Sequence, residues 1–318
     1  MTRAYDPQLA PWVEVFPPYD FSDLTALRAE QDRLNDHMPP YEAPVPLSVH
    51  DAVVPGEPGV PVRIYAPKLR HGPLPAMVYF HGGGFIMGSV DMFDHVTRRM
   101  AAEGNLIMIA VSYRLAPEHP FPAGLEDGYR ALLWAHETAD EHGIDRSRLA
   151  VGGDSAGGGL AAGLALLARD RGGPPLCFQY LGAPPVDDTL STPSMQTYDD
   201  TPIWYRSAAV YSWDCYLGPS KPGTPDVSPY AAPARAKDLS GLPPAYVYVY
   251  QVDPLRDEGI NYAQRLAHAE VPTELALYSG TFHASPLVPD AASSARIFAS
   301  NMAALRRGAH QASNDGFG

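Results

Sequence analysis

Two cysteines in 318 residues are too few for a disulfide framework. Cys177 stands in a run that reads as a strand and Cys215 in a mixed aromatic segment, and both read as reduced packing residues. Basic residues are also scarce: 23 Lys and Arg against 36 Asp and Glu give a formal net charge of -13. That balance argues against a nucleic-acid partner, because binding a phosphate backbone requires clustered cations. No stretch approaches the roughly 18 consecutive apolar residues of a membrane span. The start, MTRAYDPQLAPWVEVFPP, places acids and prolines where a secretory signal needs a continuous apolar run. The expectation is a cytoplasmic protein without membrane insertion, in which a 45% hydrophobic fraction builds one large globular core.

Proline, by contrast, is plentiful, and many of the 34 prolines gather in residues 1–60 and 184–244, which lack periodicity. Those segments read as loops, short helices or a lid. Elsewhere short apolar runs alternate with helical patterns. AMVYF (76–80), LIMIAVSY (106–113), LAVGG (149–153), LCFQYLG (176–182), AYVYVYQV (245–252) and TELALYS (273–279) read as strands. Segments near 94–103, 123–143, 156–169, 258–270 and 291–307 have helical period. Strands apolar on both faces and separated by helices indicate an α/β fold around a mostly parallel sheet. In such sheets functional residues gather just past the carboxyl ends of the strands.

Four strand ends carry chemistry. HGGGF follows the first run, Asp154-Ser155-Ala156 the third, Asp253 the fifth and Thr281-Phe282-His283 the last. Gly153 to Gly157 fits G-x-S-x-G, in which a nucleophile occupies a strained strand-to-helix turn. A neutral serine hydroxyl needs a base within hydrogen-bond reach and a third group to orient that base. On this fold class the order along the chain is serine, acid, histidine, which leaves His268, His283 and His310 as candidates. His268 falls in an amphipathic helix and His310 near the chain end, whereas His283 stands just beyond a strand. Asp253 ends its apolar run directly, while Asp257 and Glu258 suit the first turn of the next helix. The amides of Gly83, Gly84 and Ala156 are the candidate donors to an oxyanion. The same glycines also give G-x-G-x-x-x-G, a spacing near that of dinucleotide-binding turns. The next strand ends without the acidic residue that a ribose would require.

HGGGF, YRLAPEHPFPAGLEDGYRALLW, GDSAGG, DPLRDEG and GTFH run in this order along the chain. Together they closely resemble the motifs of the bacterial hormone-sensitive-lipase-like (family IV) esterases, serine carboxylesterases of α/β-hydrolase fold. The resemblance spans about Pro61 to Arg307. It implies Ser155 as nucleophile, Asp253 as acid, His283 as base, and Gly83, Gly84 and Ala156 as oxyanion hole, acting on short- to medium-chain esters with no metal or organic cofactor. It further implies a cap made of residues 1–50 and 186–225 over a catalytic core of residues 51–185 and 226–318, and it allows a homodimer through the last strand and helix. Within YRLAPEHPFPAG, Arg114 and Glu118 read as buried scaffold rather than as substrate contacts. The chain departs from the family where Ala284 and Ser285, instead of Gly-Phe, follow the histidine. The rival readings are an amidase, thioesterase or transacylase on the same triad, and a ligand-binding protein on the same scaffold.

Overall fold

In a computed structural model, which describes residues 3–16, 18–35, 41–288 and 290–311, one eight-stranded sheet organises the chain. Its strands are β1 (Leu47–Val54), β2 (Val60–Pro67), β3 (Leu74–Phe80), β4 (Ile107–Val111), β5 (Ile144–Asp154), β6 (Phe178–Gly182), β7 (Ala245–Val252) and β8 (Thr273–Phe282). The spatial order is β1-β2-β4-β3-β5-β6-β7-β8. From β4 through β8 every pairing is parallel, and all six strands read from the sequence lie in this part. β1 and β2 pair antiparallel with each other, and β2 with β4.

β1, at the sheet edge, corrects the expectation of irregular chain through residue 60, and β2 beside it is likewise absent from the strands read from the sequence. β2 carries prolines at both ends, Pro61 and Pro67, and a Pro-rich run reads as loop. Proline is nonetheless tolerated near sheet edges and strand ends, where a ladder donor can be spared. Two smaller differences concern lengths. β5 begins at Ile144, before the LAVGG run, and β8 continues past Ser279 to Phe282, which brings His283 to the strand end itself.

Alternation along the parallel strands explains why both faces are apolar. On β7, Val247 and Val249 face one core while Tyr246, Tyr248 and Tyr250 face the other. On β3, Val78 and Phe80 oppose Met77 and Tyr79 in the same way. Helices α3 (Ala123–Glu137), α5 (Ala156–Asp170) and α8 (Arg256–His268) cover the aliphatic face. α2 (Asp94–Gly104) and α9 (Ala292–Ala309) cover the tyrosine-rich face. The segment expected as one helix over 123–143 divides, with α4 (Ala139–His142) following Thr138, whose N–H and hydroxyl both donate to the Trp134 carbonyl.

A separate layer sits against the glycine-rich loop that follows β3. α1 (Leu24–Asn35), α6 (Pro193–Thr197) and α7 (Arg206–Leu217) contribute to a cluster holding Met195, Trp204, Tyr205 and Ala208 against Ile86 and Met87. The N-terminal segment forms another small core, in which Leu9 is fully buried with Phe282, Val288 and Ala291. Among the described residues no helix is long and apolar enough to cross a membrane.

Candidate active site

Ser155 occupies the turn between β5 and α5 with φ 56° and ψ -126°, a backbone conformation that costs a non-glycine residue about 1–3 kcal/mol. Two contacts hold it there: its N–H donates to the Gly182 carbonyl at 2.7 Å, and its carbonyl accepts from Gly158 at 2.8 Å. The flanking glycine is a steric necessity. A Cβ on Gly157 would lie 2.0 Å from the Phe80 carbonyl oxygen, which is backbone and cannot move aside. The helix therefore starts directly against β3, and the serine hydroxyl projects past the strand ends.

His283 follows β8 and is 5% exposed, and Asp253 follows β7 and is fully buried. The imidazole Nε2 lies 2.9 Å from Ser155 Oγ, and Nδ1 lies 2.7 Å from Asp253 Oδ2. A carboxylate only accepts, so Nδ1 carries the proton and Nε2 presents a lone pair to the hydroxyl. Asp253 is itself oriented: its Oδ1 accepts the Leu255 N–H at 2.9 Å as the chain enters α8. Ala284, next to the base, adopts φ 57° and ψ 17°, in the left-handed region where glycine is the easier residue. The alanine in place of the family's glycine thus carries a small backbone cost and leaves the histidine in reach.

The loop after β3 turns on Gly83, whose φ is +119° and whose Cβ would sit 2.1 Å from the Met87 carbonyl oxygen. The Gly83 carbonyl accepts from both Ile86 and Met87, which closes the loop. Among the described residues, neither the Gly83 nor the Gly84 amide donates to another backbone carbonyl in the turns and loops. Ala156 opens α5, where first-turn amides have no intrahelical acceptor. Behind this loop the His81 ring stacks on Tyr113 at 4.4 Å, and its Nδ1 donates to the Gly82 carbonyl at 2.7 Å. Burial pushes its imidazole down to about 4, so it stays neutral and acts as a prop.

The other candidates stand apart. His268 is exposed on α8, and His310 contacts the Gly104 carbonyl. Asp257 pairs with Arg256 and accepts the Ser194 N–H. Glu258 is buried and accepts the Val186 and Asp187 amides. Its desolvation, with Asp187 and Asp253 nearby, holds its carboxyl well above the usual range. Arg114 clamps the buried Asp127 through several hydrogen bonds, as a scaffold should. Glu118 departs from the buried role expected of it, since it is half exposed and pairs with Arg28. The two cysteines are free thiols, Cys177 buried and Cys215 half-buried.

Two further contacts border the site: one comes from Trp204 in the Pro-rich segment read as a lid, and the other, which the sequence did not announce, from the N-terminal segment. Trp204 lies with its ring centroid 6.1 Å from that of His283, and a Cβ on Gly84 would meet the same indole at 2.4 Å. Tyr5 and Phe16 flank Phe282, the residue before the base, at 6.2 Å each. No local pattern announces either contact, because both depend on where distant segments come to rest.

A family model described as the alpha/beta hydrolase fold matches residues 77–287. Carboxylesterase NlhH of Mycobacterium tuberculosis is 40% identical over 317 residues, which cover 96% of each chain. Esterase LipI of the same organism is 41% identical over 277 residues, covering 86% of this chain and 85% of its own. The solved structure of a bacterial heroin esterase superposes with a TM-score of 0.92 at 46% identity, covering 97% of this chain and 99% of that one. With its parallel sheet, its serine at the strand-to-helix corner and relatives that are carboxylesterases, the chain belongs to the alpha/beta hydrolase fold family.

Proposed function

We propose that this chain hydrolyses short- to medium-chain carboxylic esters through an acyl-enzyme on Ser155. The observation that carries the reading is the continuous contact from Ser155 Oγ to His283 Nε2 at 2.9 Å and from His283 Nδ1 to Asp253 at 2.7 Å. Ser155 attacks the ester carbonyl carbon and its proton passes to Nε2. Asp253 holds the resulting imidazolium, and the amides of Gly83, Gly84 and Ala156 receive the negative charge on the former carbonyl oxygen. The imidazolium then protonates the leaving alcohol. Water, deprotonated by the same nitrogen, releases the acid and restores the serine.

The layer containing Trp204 supports a limit on chain length and a cap drawn from residues 1–50 and 186–225 over a core of 51–185 and 226–318, with the correction that Leu47–His50 pair in β1 of the core sheet; residues 1–2, 17, 36–40, 289 and 312–318 of that division lie outside the described ones. Across p-nitrophenyl acetate, butyrate, octanoate and palmitate, kcat/KM should be highest for acetate or butyrate and fall at least about tenfold by palmitate. A preference for palmitate would refute the acyl range. Amide and thioester analogues in the same panel separate esterase from amidase and thioesterase.

The cytoplasm is the compartment we assign, a reducing setting in which two free thiols persist. A homodimer through β8 is part of the same reading. β8 is an edge strand that exposes Leu275 and Leu277 by 42% and 50%, and such edges pair readily with a second copy. Light scattering at micromolar concentration should give twice the chain mass of 34.3 kDa, and a monomer would count against it.

A further inference from the structure

Asp154 stands directly before the nucleophile, yet the triad has no use for it. Its carboxylate is hemmed in by Gly182 and by two phenols from different strands. Tyr79 on β3 donates to Oδ2 at 2.5 Å, and Tyr248 on β7 donates to Oδ1. Both rings are buried, and burial beside Asp154 holds both hydroxyls well above the usual phenol range. They therefore act as donors, and a group that accepts two O–H bonds is stabilised as an anion.

One of these tyrosines, Tyr248, connects this anion to the base through Tyr250. The Tyr248 ring meets Tyr250 edge-on at 5.7 Å, and Tyr250 meets His283 edge-on at 6.1 Å. Tyr248, Tyr250 and His283 are all buried, so little water screens a charge on one side of this stack from a charge on the other. Burial is the largest influence and leaves the Asp154 carboxyl above the usual carboxylate range, while the two phenol bonds and the positive form of His283 oppose it and favour the anion.

We propose that Asp154 is an electrostatic positioning residue of the reaction, whose tyrosine-fastened carboxylate stabilises the imidazolium that His283 becomes when Ser155 loses its proton. The inference rests on the triad proposed above. Other titratable groups near the pair do not supply this charge. Tyr180 on β6 and Tyr250 on β7 are held well above the phenol range and stay neutral, and burial holds the Glu258 carboxyl on α8 well above the usual range, which disfavours its charged form. Asp253 reaches the imidazolium by a direct hydrogen bond, and Asp154 stands behind it through Tyr248 and Tyr250.

The test is Asp154→Asn, which keeps the shape and can still accept one phenol O–H while removing the charge. Without that charge the imidazolium is less stable and forms only at lower pH. The acid limb of the kcat/KM profile on p-nitrophenyl butyrate should move down by about one pH unit, and plateau kcat should fall up to about tenfold with KM little changed. A folded variant whose acid limb stays at the wild-type position overturns the proposal, whatever happens to kcat, because a purely structural role would leave the limb in place.

Tyr248→Phe is the second arm and carries the test alone if Asp154→Asn fails to fold. Losing one donor makes Asp154 easier to protonate, so the limb should move in the same direction by less, and an unmoved limb overturns the proposal here too. A wild type without an acid limb would strike the triad reading instead. An intact wild-type limb that both variants leave unmoved strikes Asp154 alone.

Discussion

Ser155→Ala should abolish ester hydrolysis, lowering kcat on p-nitrophenyl butyrate by on the order of a millionfold while thermal unfolding stays close to that of wild type. The size follows from how the site is assembled. Nucleophile and base act as a unit, so deleting either removes most of what the whole triad contributes. What remains is the oxyanion loop and substrate binding, which together still give about 10³- to 10⁴-fold over water. Stability should change little, because the Oγ contributes one hydrogen bond, to His283, while the strained turn is held by backbone bonds to Gly182 and Gly158 that alanine keeps. Stopped-flow release of p-nitrophenol beside a thermal melt checks both halves of the claim, and wild type should also show an acyl-enzyme burst that the variant lacks. Activity within tenfold of wild type would remove Ser155 from the mechanism.

Asp253→Asn should cost about 10⁴ in kcat at pH 7, although it changes one atom. Asp253 accepts hydrogen bonds at both oxygens, from Leu255 N–H at Oδ1 and from His283 Nδ1 at Oδ2. An asparagine must keep its single oxygen toward the Leu255 amide or leave that buried donor unsatisfied, at a cost of about 1–3 kcal/mol. Its NH₂ group then faces His283 Nδ1 and forces that nitrogen to accept. The imidazole proton moves to Nε2, the lone pair facing Ser155 is lost, and the base is held in the wrong tautomer. Steady-state kinetics beside a circular dichroism melt would check this. A loss below tenfold in a folded variant would mean that another carboxylate orients the base, and neither Asp257 nor Glu258 is placed for it, each being committed to other partners.

Much of this site could be read from the sequence because its residues stand at punctuation marks. Ser155 interrupts glycines at a strand-to-helix corner, Asp253 follows a run of eight strand residues, and the glycines of HGGGF stand just after β3. Each sits where a regular period stops, and periodicity is what a sequence displays. The edge hairpin was less legible. LSVHDAVV alternates weakly, with a burial pattern that mixes half-buried and exposed positions, and the prolines around β2 mimic a loop. Nor could the end of β8 be placed, because Gly280 reads as a terminator. In the structure its N–H is taken by the Gln251 side chain and its carbonyl by Asp6.

The sequence by itself determined the fold class and nominated a nucleophile, an acid and a base in chain order, since these follow from local pattern and from residue types at strand ends. Only the tertiary structure decided that β4 lies between β2 and β3 and that 128 chain positions close to 2.9 Å between Ser155 and His283. It alone also decided that Tyr79 and Tyr248 donate to Asp154 and that Tyr250 packs between Tyr248 and His283. Those facts depend on which strands become neighbours and on which face each side chain enters. Packing sets them through contacts between residues that no local period relates.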